Sequence, residues 1–192
     1  MDFITKLRVP NTNKRIVAEY STPYGLTPEQ YEEDNAFYLE VVTPPHYGCL
    51  IHVEAFLDEM LQRVKEEKNI VIVCYGSNGV VMKYAEEHGC AMITVPTPER
   101  AFGDKASYRR NEAMTHLLLQ HDARNRAAIV FYDTCSYKED EKNMLRHVAW
   151  LCENSNIQYR VLTCVPNAYL METEQKQGFA RAFDVNITAS NA

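Results

Sequence analysis

Asn69-Ile70-Val71-Ile72-Val73-Cys74-Tyr75 runs into Gly76-Ser77-Asn78-Gly79 and leaves through Val80-Val81-Met82-Lys83-Tyr84-Ala85-Glu86-Glu87-His88 to Gly89. The first seven residues are a continuous, largely β-branched run, as a strand buried on both faces requires. Glycines break it. Apolar residues then return at helical spacing over Val80–His88, and Gly89 supplies a helix stop. Ala91–Val95 is a second apolar run, ended by Pro96 and Pro98. Strand, glycine turn, helix and strand in this order form a βαβ unit, which implies parallel pairing.

The same alternation continues outward from this unit. Upstream, Phe37–Thr43 reads as a strand ending in Pro44-Pro45, and His52–Glu67 as a helix. Val53, Phe56, Leu57, Met60, Leu61 and Val64 recur there on one face, with Glu and Lys on the other. Downstream lie a charged loop, Pro96 to Lys105, and a helix through about Gln120. The strand Ala127–Asp133, the helix Lys138–Glu153 and the strand Gln158–Cys164 follow. The expected fold is α/β: a Rossmann-like open parallel sheet of about five strands with helices on both faces, over residues 37–164. Residues 1–36 read as an N-terminal extension with one candidate edge strand, Arg15–Tyr20. Residues 165–192 read as a weakly patterned C-terminal extension.

The 192 residues carry 20 Lys and Arg against 26 Asp and Glu, for a net charge of −6. An apolar fraction of 46% excludes a disordered chain, and only 7 Gly exclude a collagen-like fibre. The acidic balance argues against nucleic acid as a partner. Apolar runs are too short to span a bilayer and Met1–Pro10 has no signal-peptide core, so no membrane association is expected. The cysteines, Cys49, Cys74, Cys90, Cys135, Cys152 and Cys164, form no CxxC pair and none is at metal-knuckle spacing to a histidine. They read as buried free thiols of a cytoplasmic protein, with neither metal nor cofactor expected.

In an open parallel sheet, ligands bind beyond the carboxyl ends of the strands. Gly76, Ser77, Asn78 and Gly79 occupy such a position. Helix-start N–H groups there face a ligand, and the helix dipole favours an anion. The third loop and the following helix start, residues 98–112, hold Arg100, Lys105, Arg109 and Arg110 against Glu99, Asp104 and Glu112, a locally cationic segment in an acidic chain. His88, His116 and His121 read as helix-face or cap residues. Tyr20, Tyr24, Tyr31, Tyr38 and Tyr47 precede or border the first loop and are candidates to stack on a base.

Val73–Gly79 followed by Met82–Gly89 resembles the second strand, glycine loop and helix of the SLOG superfamily. Phe102-Gly103-Asp104-Lys105-Ala106-Ser107-Tyr108-Arg109-Arg110-Asn111-Glu112-Ala113-Met114 is similar to the YGKAAGPxRNxxM segment of its YspA-like branch, with Gly103, Ala106, Arg110, Asn111 and Met114 in register. The resemblance spans about residues 37–164. It implies a Rossmannoid domain for nucleotides or nucleotide-derived ligands, as in relatives such as DprA and the LONELY GUY phosphoribohydrolases. By position, Gly76, Ser77, Asn78 and Gly79 would cradle a phosphate, and Arg110 and Asn111 would contact the ligand.

Catalytic relatives carry PGGxGTxxE after the fourth strand. This chain has Asp133-Thr134-Cys135-Ser136-Tyr137-Lys138-Glu139-Asp140-Glu141 there, without the glycines. The expectation is therefore a binding protein, a sensor or a sequestering protein for a nucleotide-derived small molecule, for instance a defence-system signal. The alternative is an enzyme cleaving or transferring an N-glycosidic bond. Its catalytic candidates are Asp133 and Glu139, with Glu112 and Glu141 nearby. The family often dimerises, which makes the terminal segments candidate contacts of a homo-oligomer.

Overall fold

In the computed structural model the β-branched run is a strand at the interior of a sheet, with neighbours on both sides. The structure describes residues 2–33, 35–44, 50–76, 79–133, 139–164 and 183–186. The strands are β1 (Asp2–Arg8), β2 (Arg15–Ser21), β3 (Ala36–Val42), β4 (Asn69–Tyr75), β5 (Ala91–Val95), β6 (Arg126–Asp133), β7 (Tyr159–Cys164) and β8 (Phe183–Asn186). The helices are α1 (Pro28–Glu32), α2 (Leu50–Glu67), α3 (Gly79–Glu87), α4 (Glu99–Phe102), α5 (Ala106–Leu118) and α6 (Glu139–Asn154). Gly89, at φ +63°, ends the α3 segment in the left-handed region.

One sheet holds all eight strands in the order β1-β2-β5-β4-β3-β6-β7-β8. The parallel part is β5-β4-β3-β6-β7, the five strands expected from the sequence. Antiparallel strands extend it at both ends: the β1–β2 hairpin through β2 on β5, and β8 on β7. The expected parallel core is thus present, and the three antiparallel strands of the extensions bring the sheet to eight among the described residues. Arg15–Tyr20 is a strand, but β1 forms the edge outside it. β1 escapes a reading based on apolar runs because it is half covered, alternating exposed and shielded residues.

Alternate residues of each strand enter two cores. Leu39 and Val41 of β3 and Ile70, Ile72 and Cys74 of β4 face α2 and α3, where Val53, Leu57, Leu61, Val81 and Tyr84 cover them. Tyr38 and Val42 of β3 and Val71, Val73 and Tyr75 of β4 face α5 and α6, under Met114, Leu118, Leu145 and Val148. The hairpin residues Leu7, Ile16 and Tyr20 join this second core, so the N-terminal segment is a structural part of the sheet. Cys74, Cys90 and Cys152 are buried free thiols, as expected, and burial pushes the Cys90 thiol up to about 11 and the Cys74 thiol up to about 12. Among the described residues no helix is long and apolar enough to cross a membrane.

Candidate functional site at the carboxyl ends of the parallel strands

Chain order places the functional end of the sheet. From β3 the chain steps outward to β4 and β5, then returns to the far side of β3 to lay down β6 and β7. The order reverses between β3 and β6, and the helices that follow them, α2 and α6, pack on opposite faces of the sheet, so the carboxyl ends of these two strands are where an open parallel sheet takes a ligand. Thr43 and Pro44 after β3, Gly76 after β4, the Pro96–Pro98 segment after β5 and Asp133 at the end of β6 surround this region.

The two ends of the glycine turn are defined. Gly76 N–H donates to Val95 O at 3.3 Å, tying the turn to β5. A Cβ at Gly76 would meet Thr94 Cγ2 at 3.4 Å, whereas one at Gly79 would meet nothing within 4 Å. Gly79 opens α3, so its surroundings leave room for a ligand at a helix start. Ser77 and Asn78 lie outside the described residues.

Arg110 and Asn111 are brought to this end of the sheet but turned inward. They are 4% and 0% exposed. The Arg110 guanidinium lies 4.3 Å above the Tyr75 ring. Its Nη1 donates to Thr97 Oγ1 at 2.7 Å, and its Nη2 approaches Asn111 Oδ1 and Met144 Sδ, each at 3.3 Å. Asn111 Nδ2 donates to Met144 O at 3.2 Å, fastening α5 to α6. Among the described residues no carboxylate forms an ion pair with Arg110, and its buried Nε has no hydrogen-bond partner. Burial pulls the guanidinium pKa down, opposed by Tyr75 and Glu40.

Glu40 is the site residue that the sequence reading missed. It is fully buried in β3, on the α5 side. Thr115 Oγ1 donates to its Oε2 at 3.4 Å, and Oε1 has no partner. Burial pushes this carboxyl up to about 8, although Thr115 and Arg110 pull the other way. Tyr75 Oη lies 3.5 Å from Thr43 Oγ1. Glu40, Thr43, Tyr75, Thr97, Arg110, Asn111 and Thr115 thus form a polar seam leading to the carboxyl ends. A signal was present: Glu40 is the sole charge in Ala36-Phe37-Tyr38-Leu39-Glu40-Val41-Val42, a run apolar on both faces.

The remaining candidates are dispersed. Glu139, at the exposed start of α6, pairs with Arg146 at 3.0 Å, and Glu112 pairs with Arg109 at 2.7 Å. Asp133 ends β6 in register with Cys164. The side chains of Asp133 and Glu141 and all of Tyr47 lie outside the described residues. The stacking expectation for three tyrosines is corrected. Tyr20, Tyr31 and Tyr38 are core residues at 5%, 6% and 3% exposure. Tyr20 Oη bonds to Glu32, Tyr31 Oη to Ile70 O, and the Tyr38 ring stacks on His121 at 3.6 Å. Tyr31 and Tyr38 lie toward the amino ends of the strands, away from the carboxyl-end loops. Tyr24 is 89% exposed.

No protein-family model matches the chain, and no curated protein matches it. Two solved structures are similar over nearly the whole chain. A ferulic acid esterase has 10% identity over 92% of this chain and 95% of its own, with a TM-score of 0.27. A protein described as a carboxylesterase, from Lactobacillus plantarum, has 10% identity over 93% of this chain and 98% of its own, with a TM-score of 0.25. At these scores neither likeness bears on fold or activity.

Proposed function

We propose that this protein binds a phosphorylated, nucleotide-derived small molecule at the carboxyl ends of the parallel strands, as a sensor or sequestering protein. The observation that carries the reading is the strand order β5-β4-β3-β6-β7, whose reversal between β3 and β6 falls next to β4, the strand that leads into the glycine turn. Gly79 offers a sterically open helix start for a phosphate. Arg110, held on the opposite side of the sheet with one donor unused, supplies positive potential from below. Binding is favoured over glycosidic chemistry because Glu112 and Glu139, two candidate acid–base groups, are engaged in ion pairs. Capture of a defence-system signal is one role that fits such a protein.

The test is titration with a panel of nucleoside monophosphates and cyclic dinucleotides, together with mass spectrometry of small molecules released on denaturation. Gly79→Asp puts a negative charge at the open helix start. It should weaken a phosphorylated ligand by at least tenfold, about 1.4 kcal/mol. Unchanged affinity in a folded variant would place the ligand elsewhere. Release of free base from a nucleotide, abolished by Asp133→Asn, would replace the binding reading with glycosidic chemistry.

A further inference from the structure

β1 terminates the sheet. It pairs with β2 on one side, and along its other side no backbone partner is present among the described residues. An open strand edge is a template for another strand. The sequence of this one, Asp2-Phe3-Ile4-Thr5-Lys6-Leu7-Arg8, is complementary to its own reverse. With Thr5 opposite Thr5 of a second, antiparallel copy, Asp2 faces Arg8, Phe3 faces Leu7 and Ile4 faces Lys6. Each pairing then occurs twice about a two-fold axis. The faces also match: exposed Asp2, Ile4, Lys6 and Arg8 stay on the outer face, and shielded Phe3, Thr5 and Leu7 on the inner one.

Two features of the isolated hairpin gain a purpose from this pairing. Arg8 stands opposite Arg15 in the β1–β2 register, and among the described residues neither forms an ion pair. Like charges directly opposite each other are destabilising, and Asp2 of the second copy would sit beside Arg8 to offset them. Ile4 and Val17 are 72% and 51% exposed on the outer face. Across the junction Ile4 would lie under the alkyl stem of Lys6 from the second copy.

We propose that the protein is a homodimer formed by antiparallel pairing of β1 with β1 about Thr5, which joins two sheets edge to edge. The proposal is independent of the ligand reading. Sedimentation velocity of the full chain over a concentration series should show a monomer–dimer equilibrium. Asp2→Arg and Arg8→Asp each set like charges opposite one another in two symmetric places and should weaken the dimer by about tenfold. The double variant Asp2→Arg/Arg8→Asp exchanges the charges and should restore it. Arg8→Asp also puts a carboxylate opposite Arg15, so its loss of dimer is accompanied by an unweakened thermal melt. Thr5→Cys should oxidise to a covalent dimer, because opposite Cα atoms lie about 4.5–5.5 Å apart, within disulfide range. Phe3→Cys, opposite Leu7, should not. A monomer at every concentration overturns the proposal, as does a dimer that tolerates both single reversals. A dimer in which Thr5→Cys fails to cross-link rejects the register and the proposal with it.

Discussion

The two faces of the central strands are built on opposite principles. Toward α2 and α3, β3 and β4 present Leu39, Val41, Ile70, Ile72 and Cys74 to an apolar helix layer. One residue along in each strand, toward α5 and α6, the same strands present Glu40 and Tyr75 to Arg110, Asn111 and Thr115. The first face shows that this sheet can be covered with hydrocarbon alone. The second accepts a carboxyl oxygen and a guanidinium nitrogen without partners, each costing roughly 1–3 kcal/mol when buried. Packing alone therefore does not account for the seam, which keeps Arg110 a ligand candidate in spite of its burial.

The largest effect is expected on the apolar face. Leu57→Ala leaves a cavity between α2 and the sheet and should cost about 2–5 kcal/mol in urea unfolding, with ligand affinity unchanged. If affinity falls with it, the two faces are not functionally separate. On the polar face, Arg110→Met leaves Thr97 and Asn111 without their donor and should cost about 1–3 kcal/mol. For a phosphorylated ligand it should also lower affinity by about tenfold, with Arg110→Lys recovering only part because a point charge lacks the planar fork. Loss of stability with intact affinity would make Arg110 a brace between α5, α6 and β4 and remove it from the site.

The faces also separate by pH. Burial pushes the Glu40 carboxyl from its ordinary 4.5 up to about 8. Between those values the folded protein keeps a proton that the unfolded chain releases. Stability therefore falls as pH rises across this window, by at most about 1.4 kcal/mol per unit, and levels off above it. Glu40→Gln mimics the protonated carboxyl, so it should change little near pH 5 and remove this part of the slope toward pH 8. Denaturant unfolding of both proteins across the window measures the difference. A slope unaltered by Glu40→Gln would show that Glu40 does not titrate there.

The apolar face was legible in the sequence because its signals are local. The runs in β4, β5 and β6 and the one-sided pattern of α2 fall within a residue or two of the observed elements. The seam was harder to read. Arg109-Arg110-Asn111-Glu112 looks like a solvated helix start, yet Arg110 shares the helical phase of Ala106, Ala113, Met114 and Leu117, all buried. Following that phase would have turned Arg110 inward. The N-terminal region held readable marks as well. Thr27 and Gln30 form a capping box around Pro28, the start of α1. β8 is a short strand whose place depends on pairing with β7, which no local pattern specifies.

The position of the β1–β2 hairpin also has a consequence for synthesis. Glu19 pairs with Thr94, so the hairpin is made some 75 residues before the strand that receives it. At about 5–20 residues per second, that is a wait of roughly 4–15 s on the ribosome. A hairpin closes in microseconds but is only marginally stable alone, so its apolar residues, Leu7, Ile16 and Tyr20, stay uncovered throughout the interval. Lys6, Arg8, Arg15 and Glu19 on the other side then serve the nascent chain before they serve the folded one. They discourage neighbouring chains from stacking on a surface that has no home until β5 emerges.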